Sequence, residues 1–270
     1  MAAPRAYIGG TEARMAGGTI LEITGGDALS FLQGIVTNDL DRLAGGLVYA
    51  ALLSPQGKYL ADFFLLRRED KILLDIAPAL APDTLRRLSM YRLRADVAIR
   101  ESGIRVLRTG NPEGAFIDPR HPALGWRRYG AGGPDELSDP LPLRVDLCIP
   151  ESGVELIPDE TYVLEAGFER LNGVDFRKGC YVGQEVTARM KHKTVLKKGL
   201  VSVAVEGSAP VGTGILSEGK PVGTLYSQWG GKGIAHLRFD RAGTDMQAGE
   251  ARVSWRGADA VPRTGEQSGA

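Results

Sequence analysis

Residues 18–24 alternate loosely between apolar and polar side chains, the period-2 signature of a strand. Asp27 then stands where an N-cap belongs, ahead of a short helix carrying Leu29, Phe31 and Leu32 and ending near Gly34. The runs 48–53, 59–66 and 71–76 are dense in strand formers and separated by polar turns. Pro82-Asp83-Thr84 opens a helix in which Leu85, Leu88 and Tyr91 share one face, with Arg86, Arg87, Arg92 and Arg94 outside. Strands at about 97–100 and 104–107 close the block. This order predicts an α+β unit, an antiparallel sheet with its helices on one side.

The segment 125–139 is rich in Gly, Pro and charge and reads as a loop. A helix is predicted over 164–171, then a loop leading into a helix that includes 185–190. Past the basic stretch 191–198 the pattern changes. Five short strands, at 200–205, 214–217, 222–226, 234–238 and 252–255, follow at close spacing with glycine between them. That spacing predicts a small all-β barrel or sandwich. The division expected is a body over 1–196 with an inserted α+β subdomain at about 46–108, a barrel over 197–262 and a frayed tail over 263–270. The 36 glycines and 15 prolines, spread without a period, also favour short strands and tight turns.

Charge narrows the function. Lys and Arg number 33, as do Asp and Glu, so no broad field draws the chain to nucleic acid or membrane. An anionic ligand would need a local basic site. Cys148 and Cys180 are far apart with no Cys-x-x-Cys, and His121, His192 and His236 are scattered, so spacing gives neither a disulfide framework nor a metal site. A reducing cytoplasm is the compartment expected, and neither a membrane span nor a signal peptide is predicted.

The densest chemistry lies in Lys178-Gly179-Cys180-Tyr181-Val182-Gly183-Gln184-Glu185. Glycines on either side allow a sharp turn that presents a cysteine at a surface. Lys178 and Arg177 beside it would favour the thiolate, the nucleophilic and metal-binding form. The plainer reading is a buried structural cysteine on a glycine-rich turn.

Together with Leu171-Asn172-Gly173-Val174-Asp175-Phe176-Arg177 before it and Val186-Thr187-Ala188-Arg189 after it, this octapeptide resembles the signature of the YgfZ family. These are folate-binding proteins of iron–sulfur cluster assembly, related to the glycine cleavage T-protein. The resemblance extends to Phe31-Leu32-Gln33-Gly34 with Thr37-Asn38-Asp39, to Leu52 through Lys58 with Asp62, to Asp118-Pro119-Arg120 with Leu124-Gly125-Trp126-Arg127, and to Ile149-Pro150-Glu151. It covers roughly residues 20 to 240. Cys148 departs from it, since the family usually carries glycine there.

The resemblance implies a T-protein-like folate-binding body with a carboxy-terminal barrel, ring-like around a central channel that holds tetrahydrofolate or a one-carbon derivative. Glu165 stands where the T-protein places its pterin-binding glutamate, and a carboxylate can pair with the pterin's N–H groups. Asp62, Asn38 and Asp39 are the other acidic or amide candidates; Asn38 and Asp39 would equally serve as turn formers. Arg189 with Lys191, His192 and Lys193 suits an anionic glutamate tail or an acidic partner, or else a solvated face. Tyr181 is placed to stack on a pterin or to cover Cys180. With Lys178, Gly179, Gly183, Gln184 and Glu185, Cys180 forms the candidate reactive motif, as a redox thiol, a partner-linked thiol, a transient metal ligand or a structural group.

The function expected is assistance in assembly or repair of [4Fe–4S] clusters in client enzymes, with an indirect effect on tRNA modification. The partners expected are folate, assembly proteins and clients, without direct nucleic-acid or membrane contact, and the chain is expected to be monomeric. Three rivals stand beside this: a folate-dependent aminomethyltransferase-like enzyme, a non-catalytic scaffold, and a sarcosine-oxidase-type demethylating module, for which the sequence has no GxGxxG flavin-binding segment. The first is weakened because the T-protein's acidic pair is here Ala61-Asp62.

Overall fold

The computed structural model describes residues 18–130, 133, 135–193 and 195–257. The body is built on a five-stranded antiparallel sheet. β1 (Thr19–Thr24), β2 (Val48–Leu53), β3 (Tyr59–Arg68), β4 (Lys71–Ile76) and β5 (Ala98–Ser102) lie in the order β2-β3-β4-β1-β5. β2 and most of β3 and β4 are buried on both faces, which is why they read as continuous apolar runs instead of alternating ones. Their odd and even residues serve different cores. Ala50, Leu52, Phe63, Leu65 and Leu74 pack under α1 (Ala28–Gln33) and α2 (Ala81–Tyr91). Tyr49, Ala51, Leu53, Tyr59 and Phe64 pack on the opposite side against Val163, Phe168, Leu171 and Tyr181.

Because β1 pairs with both β4 and β5, the strands between 48 and 102 are woven into the sheet, and 46–108 does not stand as an inserted subdomain. A second correction concerns 125–139. There β8 (Trp126–Gly130) lies between β6 (Arg105–Thr109) and β7 (Phe116–Ile117) in a three-stranded antiparallel sheet. Its arginines hid the strand from a hydropathy reading, since Arg127 is held by a buried Asp75 instead of by solvent. α3 (Leu141–Leu147) follows and packs on the barrel; no sequence signal had marked it.

Residues 164–171 form linked turns, not the helix expected. Gly167 takes φ +79° and interrupts the helical hydrogen bonding. Asp27 occupies the N-cap position of α1, yet its carboxylate accepts from Asp96 N and makes no cap bond.

α4 (Gln184–Lys193) leads to a closed antiparallel barrel. Its strands are β9 (Lys198–Glu206), β10 (Thr213–Ser217), β11 (Lys220–Trp229), β12 (Lys232–Arg238), β13 (Met246–Ala248) and β14 (Ala251–Ser254). Closure comes from β13 pairing with β10. β13, only three residues long, is the strand the sequence reading lacked. The tail expected to fray lies outside the described residues.

Two carboxylates, the buried Glu155 and the partly buried Glu165, fasten the barrel to the body. Glu155 accepts from Arg144 Nη2 at 2.8 Å, from Glu151 N at 2.9 Å and from the barrel's Ser227 N at 3.2 Å. Glu165 faces His236 Nε2 at 3.3 Å and Lys198 Nζ at 3.4 Å, while its backbone oxygen accepts from Leu200 N at 2.7 Å.

A third carboxylate gives the body its acid sensitivity. Glu22 on β1 accepts from Lys71, Arg100 and Ser102, and the bonds from Lys71 and then Arg100 pull its carboxyl from 4.5 to about 2. Because the folded value lies below the unfolded one, the stabilisation is complete above the unfolded value and drains as pH falls toward the folded one. Acid denaturation should therefore lose stability between pH 4.5 and about 2, and Glu22→Gln should flatten that part of the curve. An unchanged slope in the variant would reject the assignment.

Candidate functional site

Three motifs far apart in sequence converge around the 173–183 loop. Thr37 Oγ1 donates to Gly173 O at 2.6 Å and accepts from Ala51 N at 2.8 Å. Asn38 Nδ2 bridges Tyr49 O at 2.8 Å and Asn172 O at 2.7 Å, and its Oδ1 accepts from Asp39 N. Asp39 caps the following 3-10 turn through Asp41 N, and that bond, with one from Gln33, holds its carboxyl below the usual range. Both residues thus shape the turn, and both polar atoms of the Asn38 side chain are engaged within the protein.

The octapeptide itself divides sharply. Lys178 is buried, and its ammonium donates to Gln33 O, Val36 O and Asn38 O at 2.8, 2.5 and 3.0 Å. Burial draws its pKa down to about 8 against the opposing pull of Asp39 and Asp175. These contacts correct the expectation that Lys178 activates the thiol, because its three N–H groups all point to carbonyls. Tyr181 lies in the core, and burial pushes its hydroxyl up to about 12. Gln184 Oε1 accepts from Tyr181 N at the start of α4, and Glu185 pairs with Arg189 at 2.9 Å on its exposed face. Arg177 is 88% exposed. Lys191 reaches Glu169, whereas the side chain of Lys193 lies outside the description. Cys180 faces solvent, whereas Cys148 is buried, which raises its thiol to about 11.

Two glycines hold this loop against the sheet. Gly183 has φ +83°, and a Cβ there would lie 2.6 Å from Ser54 O and 2.9 Å from Leu53 Cβ. Across the contact, Gly57 has φ +75° and packs on Val186. Gly179 carries no such constraint, since nothing lies within 4 Å of an added Cβ.

The cavity lies elsewhere, between the five-stranded sheet, the three-stranded sheet and the start of α3. It holds about 190 Å³ and is lined by Asp62, Phe63, Phe64, Asp75, Arg120, Arg127 and Ser152, among others. Asp62 accepts from Tyr49 Oη at 2.9 Å, Tyr59 Oη at 2.5 Å and Ser152 Oγ at 2.6 Å. Burial, reinforced by the Asp62 charge, keeps both tyrosines protonated as donors. Arg127 and Arg120 lie over the Phe64 ring at 4.1 and 4.8 Å, within cation–π range. Arg120 grips Asp118 through two nitrogens at 3.0 and 2.8 Å, and Arg127 reaches Asp75 at 2.7 Å, where Tyr129 also donates. Burial alone would raise the Asp118 carboxyl, but Arg120 and Arg127 outweigh it and hold it below the usual range.

Of the residues proposed from sequence for ligand contact, Asp62 lines this cavity. Glu165, Asn38, Asp39, Tyr181 and Arg189 do not. Glu165 is turned to the barrel, Asn38 and Asp39 to the turn, Tyr181 to the core and Arg189 to solvent. Sequence reasoning missed the roles of Phe64, Ser152 and the arginine–aspartate lattice. Asp118-Pro119-Arg120 and Trp126-Arg127 were visible as motifs, but the reach of Arg127 across to Asp75 on β4 was not. Among the described residues, no group of three or more His, Cys, Asp or Glu side chains could hold a metal ion, and no helix is long and apolar enough to cross a membrane.

Residues 197–263 match the family described as the CAF17 C-terminal beta-barrel domain. The chain is 29% identical to the mitochondrial iron–sulfur cluster assembly factor IBA57 of Homo sapiens, over 83% of its own length and 76% of that protein. The Mus musculus protein of that name is also 29% identical, over 84% and 77%. The corresponding homolog of Mycosarcoma maydis is 29% identical over 68% of this chain and 55% of that protein, so the match spans about half of the fungal relative. These relatives are all named as mitochondrial, which overturns the cytoplasmic expectation. The fold is that of the glycine cleavage system aminomethyltransferase T from Bartonella henselae, with a TM-score of 0.69 at 14% identity, covering 93% of this chain and 88% of that one.

The glycine contacts yield a paired prediction. Gly183→Ala should lower stability by about 1–3 kcal/mol or more, because a strained φ and a backbone clash coincide. Gly179→Ala should change it by no more than about 0.5 kcal/mol. Thermal or denaturant unfolding of the two variants checks the contrast.

Proposed function

We propose that this chain serves in the assembly or repair of iron–sulfur clusters, with Cys180 as its working thiol. The observation that carries the reading is the exposure of Cys180 on a loop whose neighbours are held by the core. Such a thiol is available to a partner protein while its backbone is fixed. The relatives named as iron–sulfur cluster assembly factors support the same role. A single thiolate cannot hold a cluster by itself, since such sites need about four protein ligands. Cys180 would therefore act with ligands that a partner supplies. Client enzymes that modify tRNA would depend on this chain without its touching RNA.

The finer part of the proposal is tetrahydrofolate, or a one-carbon derivative, at the Asp62 cavity. The lining fits the group in kind, offering a carboxylate, an aromatic wall and arginines. A cavity of about 190 Å³ admits a ring system of pterin size, with the rest of the ligand lying outside. An ionised carboxylate has about four acceptor sites, and three hydroxyls already fill most of those on Asp62. A bidentate pterin contact would take the remaining site and the one that Ser152 now holds. The aminomethyltransferase reading is less well supported, because the position beside Asp62 is Ala61, buried in the core under the helices.

Cys180→Ser should fold normally, because the thiol is exposed, and should impair maturation of [4Fe–4S] client enzymes. Full client activity would reject the working thiol. In calorimetric titration, Asp62→Asn should weaken tetrahydrofolate binding by about 1–3 kcal/mol, the scale of a hydrogen bond to a charged group, with Cys180→Ser binding as the native chain does. Absence of binding by the native chain would remove folate and favour a scaffold.

A further inference from the structure

The Lys178 ammonium is surrounded by three carbonyl oxygens, one for each of its donors. These belong to Gln33, the last residue of α1, and to Val36 and Asn38 in the loop that follows. Carbonyls at a helix C-terminus lack intrahelical partners and carry the negative end of the helix dipole, so a cation is well placed there. Lys178 stands two residues before Cys180. On the far side, the Tyr181 ring is buried 5.0 Å from the same ammonium, and Val182 N donates to Gly34 O at 3.3 Å. The chain is thus pinned at 178 and again at 181–182, with only Gly179 and Cys180 between the pins. Gly179 touches nothing that would fix it otherwise.

The charged groups facing Lys178 are Asp39 from the 3-10 turn and Asp175 from its own loop, the latter ion-paired with Arg42. Both are acids, and the three carbonyls leave the ammonium no donor to offer a thiolate. A direct Lys178–thiolate pair would strip a donor from a carbonyl next to the buried sheet.

We propose that Lys178 is the positioning residue for Cys180: it fixes the thiol's backbone at one place on the surface and gives its hydrogen bonds to carbonyls instead of to the thiolate. The importance of this role rests on Cys180 being the working thiol. Its test reads only the loop and the thiol, so it can fail or succeed independently of cluster assembly.

The test attaches a nitroxide methanethiosulfonate label to Cys180 in the full chain and in Lys178→Met and Lys178→Gln, with Cys180→Ser as the unlabelled blank. In Lys178→Met the label's rotational correlation time should fall about twofold or more, as for a segment freed on the fast timescale such spectra sense. Lys178→Gln, which keeps two N–H donors without charge, should lie between. The pH midpoint of iodoacetamide alkylation should stay where it is in both variants. An unchanged line shape in Lys178→Met would overturn the positioning role. A midpoint raised by about one unit or more in both variants, the size of a lost ion pair, would make Lys178 an activator. If neither variant folds, nitrogen NMR of the native Lys178 ammonium decides. Its titration curve should be the same in the native chain and in Cys180→Ser, and a curve that changes when the thiol is removed would overturn the proposal.

Discussion

The structure depends on one seam, where the 173–183 loop is bonded along its length to the 34–38 loop and the turn at 54–57. Thr37 and Asn38 begin it through Gly173 O and Asn172 O, Lys178 continues it with three carbonyls, and Gly183 ends it against Ser54. Buried backbone groups must find partners, and here the loops satisfy each other. The consequence is mechanical. Residues flanking Cys180 are immobilised by the core, while the thiol itself stays in solvent.

The same economy governs the two carboxylates at the barrel. Removing a partner from a buried charge leaves an uncompensated ion, which destabilises more than the intact pair stabilises. Glu155 and Glu165 therefore specify where the barrel docks more than they add to stability. Glu165 illustrates how a residue's position in a motif does not fix its use. With Lys198 and His236 on its carboxylate and Leu200 on its carbonyl, it acts between body and barrel.

Around the cavity, one charge pair crosses between sheets and another closes a local turn. Asp75 from β4 holds Arg127 from β8, Asp118 holds Arg120, and both guanidiniums cover Phe64 from β3. This lattice rigidifies the wall that presents Asp62. It also pairs each guanidinium with a carboxylate, so the arginines meet the cavity with their charges matched.

The sequence by itself determined the elements whose signal is local. The strands of the five-stranded sheet, α2 and most of the barrel follow from apolar periodicity and glycine punctuation, and the Lys178–Glu185 motif stood out as the proposed place of chemistry. What it left undecided was set by distant partners. β8 is a strand because Asp75 neutralises Arg127; 164–171 is not a helix because Gly167 turns the chain with φ +79°. Lys178 and Cys180 look like a reactive pair two residues apart, yet only folding brings Gln33, Val36 and Asn38 to the ammonium and separates the two roles. Periodicity records which side chains prefer burial, whereas the partner of a buried charge is chosen by which backbone segments the fold brings within hydrogen-bond reach.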